Sequence, residues 1–387
     1  MIIAVYLDCI ERLDFFSRLP TNNEIKYHFF TTRLSIYLKC IKSDFKCHLI
    51  SKYIFKTDEK IEKQTAFDDS VDVCVGNQSI DDAIVLYDGI IAFLEKLALK
   101  IDCFFIWNGS GTSGKALKKY CYNYNVRTLY FEISNLPNSI IVDPEGVNAK
   151  SSIYNNLNKL DKLELNESFD FESWFSSYKE YKSKPLPQAI NKNKYNTGFI
   201  IDYFWSISFG LKEFSIISKW KRIYKRRKKE YIDSVTANLK KKYIFLPLQV
   251  SSDSQLILNS DYDNSDLIEI AIQRAKLVQC ELYIKVHPAE TNFKYLDRMY
   301  PDFVKIVSND TNELIINAHK IIVNNSTVGL EALIYNKRVE VLGRCYYKEF
   351  DRVRVSKFIN RYLINDVDYF SNEPISLDKL TEILSRA

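Results

Sequence analysis

At 387 residues, with 46% hydrophobic and 27% charged positions, the chain is globular and long enough for two ordinary cores rather than one. Its eight Cys form no C-x-x-C pair and have no His at ligand spacing, which excludes a zinc module and a disulfide framework. The net charge of +5 belongs to one stretch, because Lys219 to Lys242 holds eleven Lys and Arg against Glu230 and Asp233, and the remainder is net acidic.

In chain order, MIIAVYL reads as a strand, Arg33 to Lys42 as a helix and KCHLISKYIF as a second strand. The N-terminus lacks the basic flank and long apolar core of a signal peptide, and no window approaches the ~18 to 20 apolar residues of a membrane span. A cytoplasmic protein, bound peripherally on the inner face of the cytoplasmic membrane where it meets one, is expected. The spacing predicts a buried helix from Asp81 to Leu99, feeding the continuous apolar run IDCFFIW of a central parallel strand. NGSGTSG, the helix KALKKYCYNYN and the strand VRTLYFE then complete a β-α-β unit.

Gly109, Gly111 and Gly114 satisfy GxGxxG between strand and helix, and Glu132 ends the next strand 18 residues after Gly114. Alone, this is a dinucleotide fingerprint and the basis of an NAD(P)-dependent oxidoreductase reading. Its position about 100 residues into the chain favours a Gly-rich turn lining a cleft. Pro137, Pro144 and Gly146 mark turns, residues 161 to 194 are charged and aromatic and end in a loop, and a first domain closes near Gly198.

Residues 199–242 form a bridge, in which Leu211, Phe214, Ile217, Trp220 and Tyr224 recur at helical spacing among the Lys and Arg. A solvated basic helix, an anionic membrane surface contact through residues 211–242 and a nucleic-acid contact all fit such a run. No other segment resembles a nucleic-acid module, so no nucleic acid partner is expected. From Tyr243 to about residue 350 the alternation is regular. YIFLPLQV, ELYIKVHP, VKIVS, KIIVN and RVEVLG read as strands, with helices near Ser265–Leu277, Phe293–Met299, TNELIINAH and Val328–Tyr335 between them. This is a doubly wound α/β half, and residues 351–387, with a helix near Leu377 to Arg386, form a tail expected to return to the first domain.

The candidate chemistry lies at the strand ends. His287 precedes Pro288 just past a buried strand, where an imidazole can bind a phosphate oxygen or protonate a leaving group, although a packed structural His is the plainer alternative. Ser326 and Thr327 open a helix whose unpaired N–H groups suit a phosphate, and the same geometry serves N-capping. Glu331 lies one turn inside and could take ribose hydroxyls, or be an exposed helix Glu. Asp253 follows the first strand of this half, and with Glu132 it supplies the two carboxylates that glycosyl transfer needs. Asp261-Tyr262-Asp263 has the form of a DxD metal motif but reads as a solvated turn, so no metal is expected.

The runs YFEISNLPNSIIVDPEGVN, LPLQVSSDSQ, KVHP and NNSTVGLEAL occur in that order between about Trp107 and Gly343, and together resemble the capsule polysaccharide synthesis family of bacterial glycosyltransferases, which includes Kdo transferases that build lipid-linked capsule termini. The resemblance implies an α/β fold of GT-B type, two Rossmann-like domains facing across a cleft, and a CMP-activated 2-keto sugar acid as donor. It further implies Glu132 and Asp253 as catalytic carboxylates, His287 on the donor phosphate, Ser326 and Thr327 on the CMP phosphate and Glu331 on its ribose. Ser134 departs from the family, which often has Gly two places after the Glu. The HP and Ser-Thr pairs are also similar to bacterial sialyltransferases, which leaves another nonulosonic acid open as donor. A glycolipid or growing polysaccharide is the implied acceptor, residues 1–100 carry no match, and a non-catalytic membrane-surface scaffold is the remaining alternative.

Overall fold

The computed structural model describes residues 1–52, 67, 69–183, 198–212 and 233–387. The chain divides into two compact units, Met1–Ile216 with Phe358–Ala387, and Ile217–Lys357. Most of the basic run, residues 213–232, lies outside the described residues; within 233–242 the chain is extended and turn rather than helical.

The first unit is built on a sheet of β1 (Ile2–Tyr6), β2 (Lys26–Thr31), β3 (Cys47–Leu49), β4 (Cys103–Trp107), β5 (Arg127–Ile133), β6 (Ser139–Asp143) and β12 (Ile364–Asn365), in the order β12-β6-β5-β4-β1-β2-β3. Strands β1 to β5 run parallel, β6 runs antiparallel to them, and β12, antiparallel to β6, takes their direction again. Parallel strands are covered on both faces, which is why IIAVY and CFFIW are apolar throughout instead of alternating. Phe15, Phe16, Phe105, Trp107 and Phe131 pack with Leu380 and Ile383 of the helix Leu377–Leu384, so residues 358–387 complete this core.

The second unit holds β7 (Tyr243–Pro247), β8 (Glu281–Lys285), β9 (Val304–Ile306), β10 (Lys320–Val323) and β11 (Val339–Val341), all parallel, in the order β11-β10-β7-β8-β9. Both units are therefore Rossmann-like, each winding outward from its first strand in two directions, the α/β pattern of GT-B proteins. Their strand orders reverse between β1 and β4 and between β7 and β10. Loops at the carboxyl ends of those strands are where such sheets collect ligands.

One local expectation differs from the structure, two elements were not named from the sequence, and most of the loop expected at the end of the charged aromatic stretch, residues 184–197, lies outside the described residues. Near Phe293–Met299 there is one 3-10 turn, Lys294–Leu296, because Phe293 and Tyr295 are buried whereas Met299 is 97% exposed, leaving no apolar stripe for further turns. The segment SIIVD is a strand, and the charged aromatic stretch contains the helix Phe171–Ser183. Among the described residues no helix is long and apolar enough to cross a membrane.

His28 on β2 and His48 on β3 stack, with His28 Nδ1 3.0 Å from His48 Nε2. Desolvation, followed by Lys46, His48 and Lys26, pushes His28 down to about 4, and desolvation also lowers His48. The unfolded chain therefore binds protons first, so stability from this pair is present at neutral pH and lost as pH falls from about 6.5 towards 4. Thermal melts over that window should show a steeper acid decline for the wild type than for His28→Asn; parallel profiles would remove the assignment.

Candidate functional site

Three loops meet the carboxyl edge of the second sheet side by side, following β10, β7 and β8. The first two are locked by amides. Gln249 Nε2 donates to Asn325 Oδ1 at 3.0 Å, Asn325 Nδ2 donates to the carbonyls of Gln255 (2.8 Å) and Asn259 (3.1 Å), and Asn264 Nδ2 donates to Gln249 O at 2.8 Å. Buried amides that satisfy one another fix loop geometry, since any displacement strands a polar group. The clamp spans the β7/β10 switch point.

The β7 and β8 loops are joined by Glu290, 2% exposed. Its carboxylate accepts from Ser251 N (2.7 Å), Ser251 Oγ (2.8 Å), Thr291 N (2.6 Å) and Asn292 N (2.8 Å). Ser251 lies two residues before Asp253 and Glu290 three after His287, so one buried group sets both candidates. Asp253 caps the helix Ser254–Leu258, its Oδ1 accepting from Gln255 N at 2.8 Å. His287 is exposed at its turn, with Nδ1 accepting from Ala289 N at 3.0 Å, which puts the proton of the neutral ring on Nε2. Desolvation lowers its pKa, opposed by the charges of Asp253 and Glu290. A neutral imidazole with a free N–H is suited to donate to a phosphate oxygen.

On the other side of β7, Ser326 caps the helix Thr327–Ile334, accepting from Val328 N at 3.3 Å, while Thr327 is exposed. The Tyr347 hydroxyl donates to Ser326 O. A Cβ at Gly329 would meet that ring at 2.7 Å, so glycine is what lets the helix seat against Tyr347. Glu331 is buried at 7% exposed and is not a solvated helix acid.

Glu132 belongs to the other unit, at the carboxyl end of β5. Asn108 Nδ2 donates to its Oε2, and Ile133 N to its Oε1 at 2.9 Å. Desolvation holds the carboxyl above its ordinary range, against those hydrogen bonds and the charge of Arg12, which suits a group that takes up a proton. Around it, Arg12 lies 3.7 Å over the Trp107 ring and 3.9 Å from Asp8, and donates to the Tyr369 hydroxyl. Cys9 beside it is no neutral-pH nucleophile, since burial and then Asp8 push its thiol up to about 12. Sequence reasoning missed Asp8, Arg12 and Glu290. For the first two the signal was their place just after β1, legible once β1 and β4 are known to be neighbours; for Glu290 it was an acid three residues after His287.

The glycine turn is occupied by the protein itself. Asp72 Oδ2 accepts from Thr112 N at 2.9 Å, and a Cβ at Gly111 would meet the same oxygen at 2.6 Å. Gly114 lies against Gly109, where a Cβ would approach its Cα to 2.5 Å. The start of the helix Thr112–Asn123 thus already faces a carboxylate, which would repel a pyrophosphate. A cleft of about 990 Å³ in the first unit, lined by Trp174, Tyr181, Asn360 and Arg361 among others, contains none of the candidate residues.

Protein FixF of Sinorhizobium fredii is 36% identical over 115 residues, 29% of each chain. Capsule polysaccharide export protein KpsS of Escherichia coli is 25% identical over 273 residues, 60% of this chain and 64% of that one. The chain thus spans less than two thirds of these curated relatives. Among solved structures, the beta Kdo 2,7 transferase of Thermosulfurimonas dismutans KpsC aligns over 100% of this chain and 99% of that one, at 14% identity and a TM-score of 0.46. A family model described as capsule polysaccharide biosynthesis protein matches residues 105–350, well over half of the chain and including every candidate residue above from Glu132 to Glu331. The chain belongs to the capsule polysaccharide biosynthesis protein family.

Proposed function

We propose that the chain is a metal-independent glycosyltransferase that moves Kdo, or a related 2-keto sugar acid, from a CMP-activated donor to a glycolipid or growing surface polysaccharide. The observation that carries this reading is the β7/β10 switch point, where a neutral His287 and Asp253 stand on one loop pair and a capped helix start, Ser326-Thr327, stands on the neighbouring loop. His287 Nε2–H would donate to the donor phosphate, Ser326 and Thr327 would hold the CMP phosphate, and Glu331 its ribose. A leaving monophosphate needs less charge neutralisation than a diphosphate, so these donors suffice without a cation.

In the transfer, the bond from the anomeric carbon to the CMP phosphate oxygen breaks and CMP departs with the electron pair. The acceptor oxygen bonds to the same carbon, and its proton passes to a carboxylate. Glu132, with its raised pKa, is suited to take that proton. In a retaining reaction this runs as two displacements: Asp253, its Oδ1 tied to Gln255 N, attacks the anomeric carbon through Oδ2 as the CMP oxygen leaves, and the acceptor oxygen then displaces Asp253, which departs as the free carboxylate. The basic run from Lys219 to Lys242 would hold the enzyme on an anionic membrane surface in the cytoplasm, near a lipid-borne acceptor.

Thermal shift with CMP, UDP, GDP and NADH tests the reading, repeated on His287→Ala and Glu331→Ala. Ligand at 100 times its dissociation constant adds about 2.7 kcal/mol to the folded state. The expected result is a shift with CMP alone, weakened in both variants. A shift with NADH that Gly111→Val abolishes would move the site to the glycine turn, and no shift with any nucleotide would favour a scaffold.

A further inference from the structure

The helix Gly198–Ser208 is amphipathic in the reverse sense for a surface element. Its protein-facing side carries the polar anchors. Asp202, 7% exposed, accepts from Ser35 N at 2.8 Å and Ser35 Oγ at 2.7 Å, and Trp205 Nε1 donates to Thr32 O at 3.1 Å. Lys52 Nζ closes the far end on Ile207 O at 3.0 Å. On the outward side stand Ile200 (58% exposed), Ile201 (42%), Phe204 (64%) and Ile207 (49%), with Ile200, Phe204 and Ile207 at i, i+4 and i+7.

Single exposed apolar residues are ordinary, but four on one face of one rigidly held helix mark a contact surface. Among the described residues the helix is already secured by Asp202 and Trp205, so its anchoring does not need an apolar outward face. Its one acid is turned inward, so the outward face carries no negative charge. The dense basic run begins at Lys219, eleven residues after Ser208, and a chain of that length spans at most ~40 Å. An apolar helix face with many Lys and Arg within reach is the pairing that binds an anionic lipid interface.

We infer that the outward face of Gly198–Ser208 inserts into the headgroup boundary of an anionic bilayer, with the helix lying in its plane. This deepens the membrane-surface part of the proposed function and rests on it. The assay below contains neither nucleotide nor acceptor, so a failed CMP shift leaves it standing, and failed vesicle binding leaves the transferase reading standing.

The full chain is sedimented with phosphatidylcholine vesicles with and without about one third phosphatidylglycerol, beside the triple variant Ile200→Ser, Phe204→Ser, Ile207→Ser. Expected are binding to the anionic vesicles, much weaker binding to the neutral ones, and a loss of about tenfold or more in the triple variant. Phe204→Trp gives a second readout that does not depend on the triple variant folding, namely quenching of that fluorescence by brominated lipid. Equal binding by wild type and triple variant, or an unquenched Trp at position 204, overturns the proposal. So does a wild-type dimer in sedimentation velocity that the triple variant dissolves, since the occupant is then a second copy of the chain.

Discussion

Asp143→Ala should lower the stability of the first unit by about 3–5 kcal/mol, several times the ~1 kcal/mol of a typical substitution. Asp143 is fully buried and accepts from Glu145 N (2.8 Å), Gly146 N (3.1 Å), Ser152 N (3.0 Å), Ser152 Oγ (2.7 Å) and the Tyr362 hydroxyl (2.7 Å). Removing the carboxylate strands several donors in a place water does not reach, each costing about 1–3 kcal/mol before relaxation. One of those donors comes from residues 358–387, so their attachment should loosen with it. Chemical denaturation measures the first effect and limited proteolysis near Phe358 the second. Tyr362→Phe, which removes one bond and leaves the turn intact, should cost only about 1 kcal/mol. A loss of under 1 kcal/mol in Asp143→Ala would show that the turn is held by something else.

Residue 143 also marks the boundary of what was legible beforehand. VDPEGVN reads as a turn marked by Pro144 and Gly146, and the turn is there; SIIVD before it is a strand. A short apolar run between two turn signals reads equally as loop or strand until its partners are known, and the partners here, β5 and β12, lie on either side of it. The second unit is plainer because its strands are short, largely apolar runs set between polar stretches, and each predicted strand corresponds to one of β7 to β11. Its exception, the segment after Asn292, failed where one buried turn was mistaken for a helical period.

At the site, residues just past a predicted strand were readable from the chain: His287, Ser326, Thr327 and Asp253 all lie at the carboxyl edge of one sheet. What holds them was not. Gln249, Asn325 and Glu290 act through contacts between loops that are 39 or more residues apart in sequence, and single-sequence patterning carries no such pairing. The glycine turn shows the converse, a motif that matched in spacing while its helix start was already met by Asp72, 40 residues upstream.

Under the proposed donor reading, Glu290→Ala should weaken CMP binding by about a hundredfold or more and cost the second unit about 3 kcal/mol, although Glu290 is buried and need not touch the nucleotide. Its carboxylate receives two hydrogen bonds from Ser251 on the β7 loop, two from Thr291 and Asn292 on the β8 loop, and a longer one, 3.5 Å, from the Tyr295 hydroxyl. Losing it frees Asp253 and His287 from their common anchor, and a positioning error of about 1 Å in a catalytic loop can cost a hundredfold. A purely structural role would lower stability and leave the affinity of the remaining folded protein unchanged, so the two readouts separate the cases. Calorimetric titration with CMP, well below the melting temperature of the variant, gives the affinity. Ser251→Ala should reproduce a smaller part of the loss, and the double variant should show non-additive coupling of about 0.5–3 kcal/mol, because both substitutions remove the same bond. Undiminished CMP affinity in folded Glu290→Ala would mean that the β7 and β8 loops keep their positions without the bridge, and would leave Glu290 a stabilising group alone.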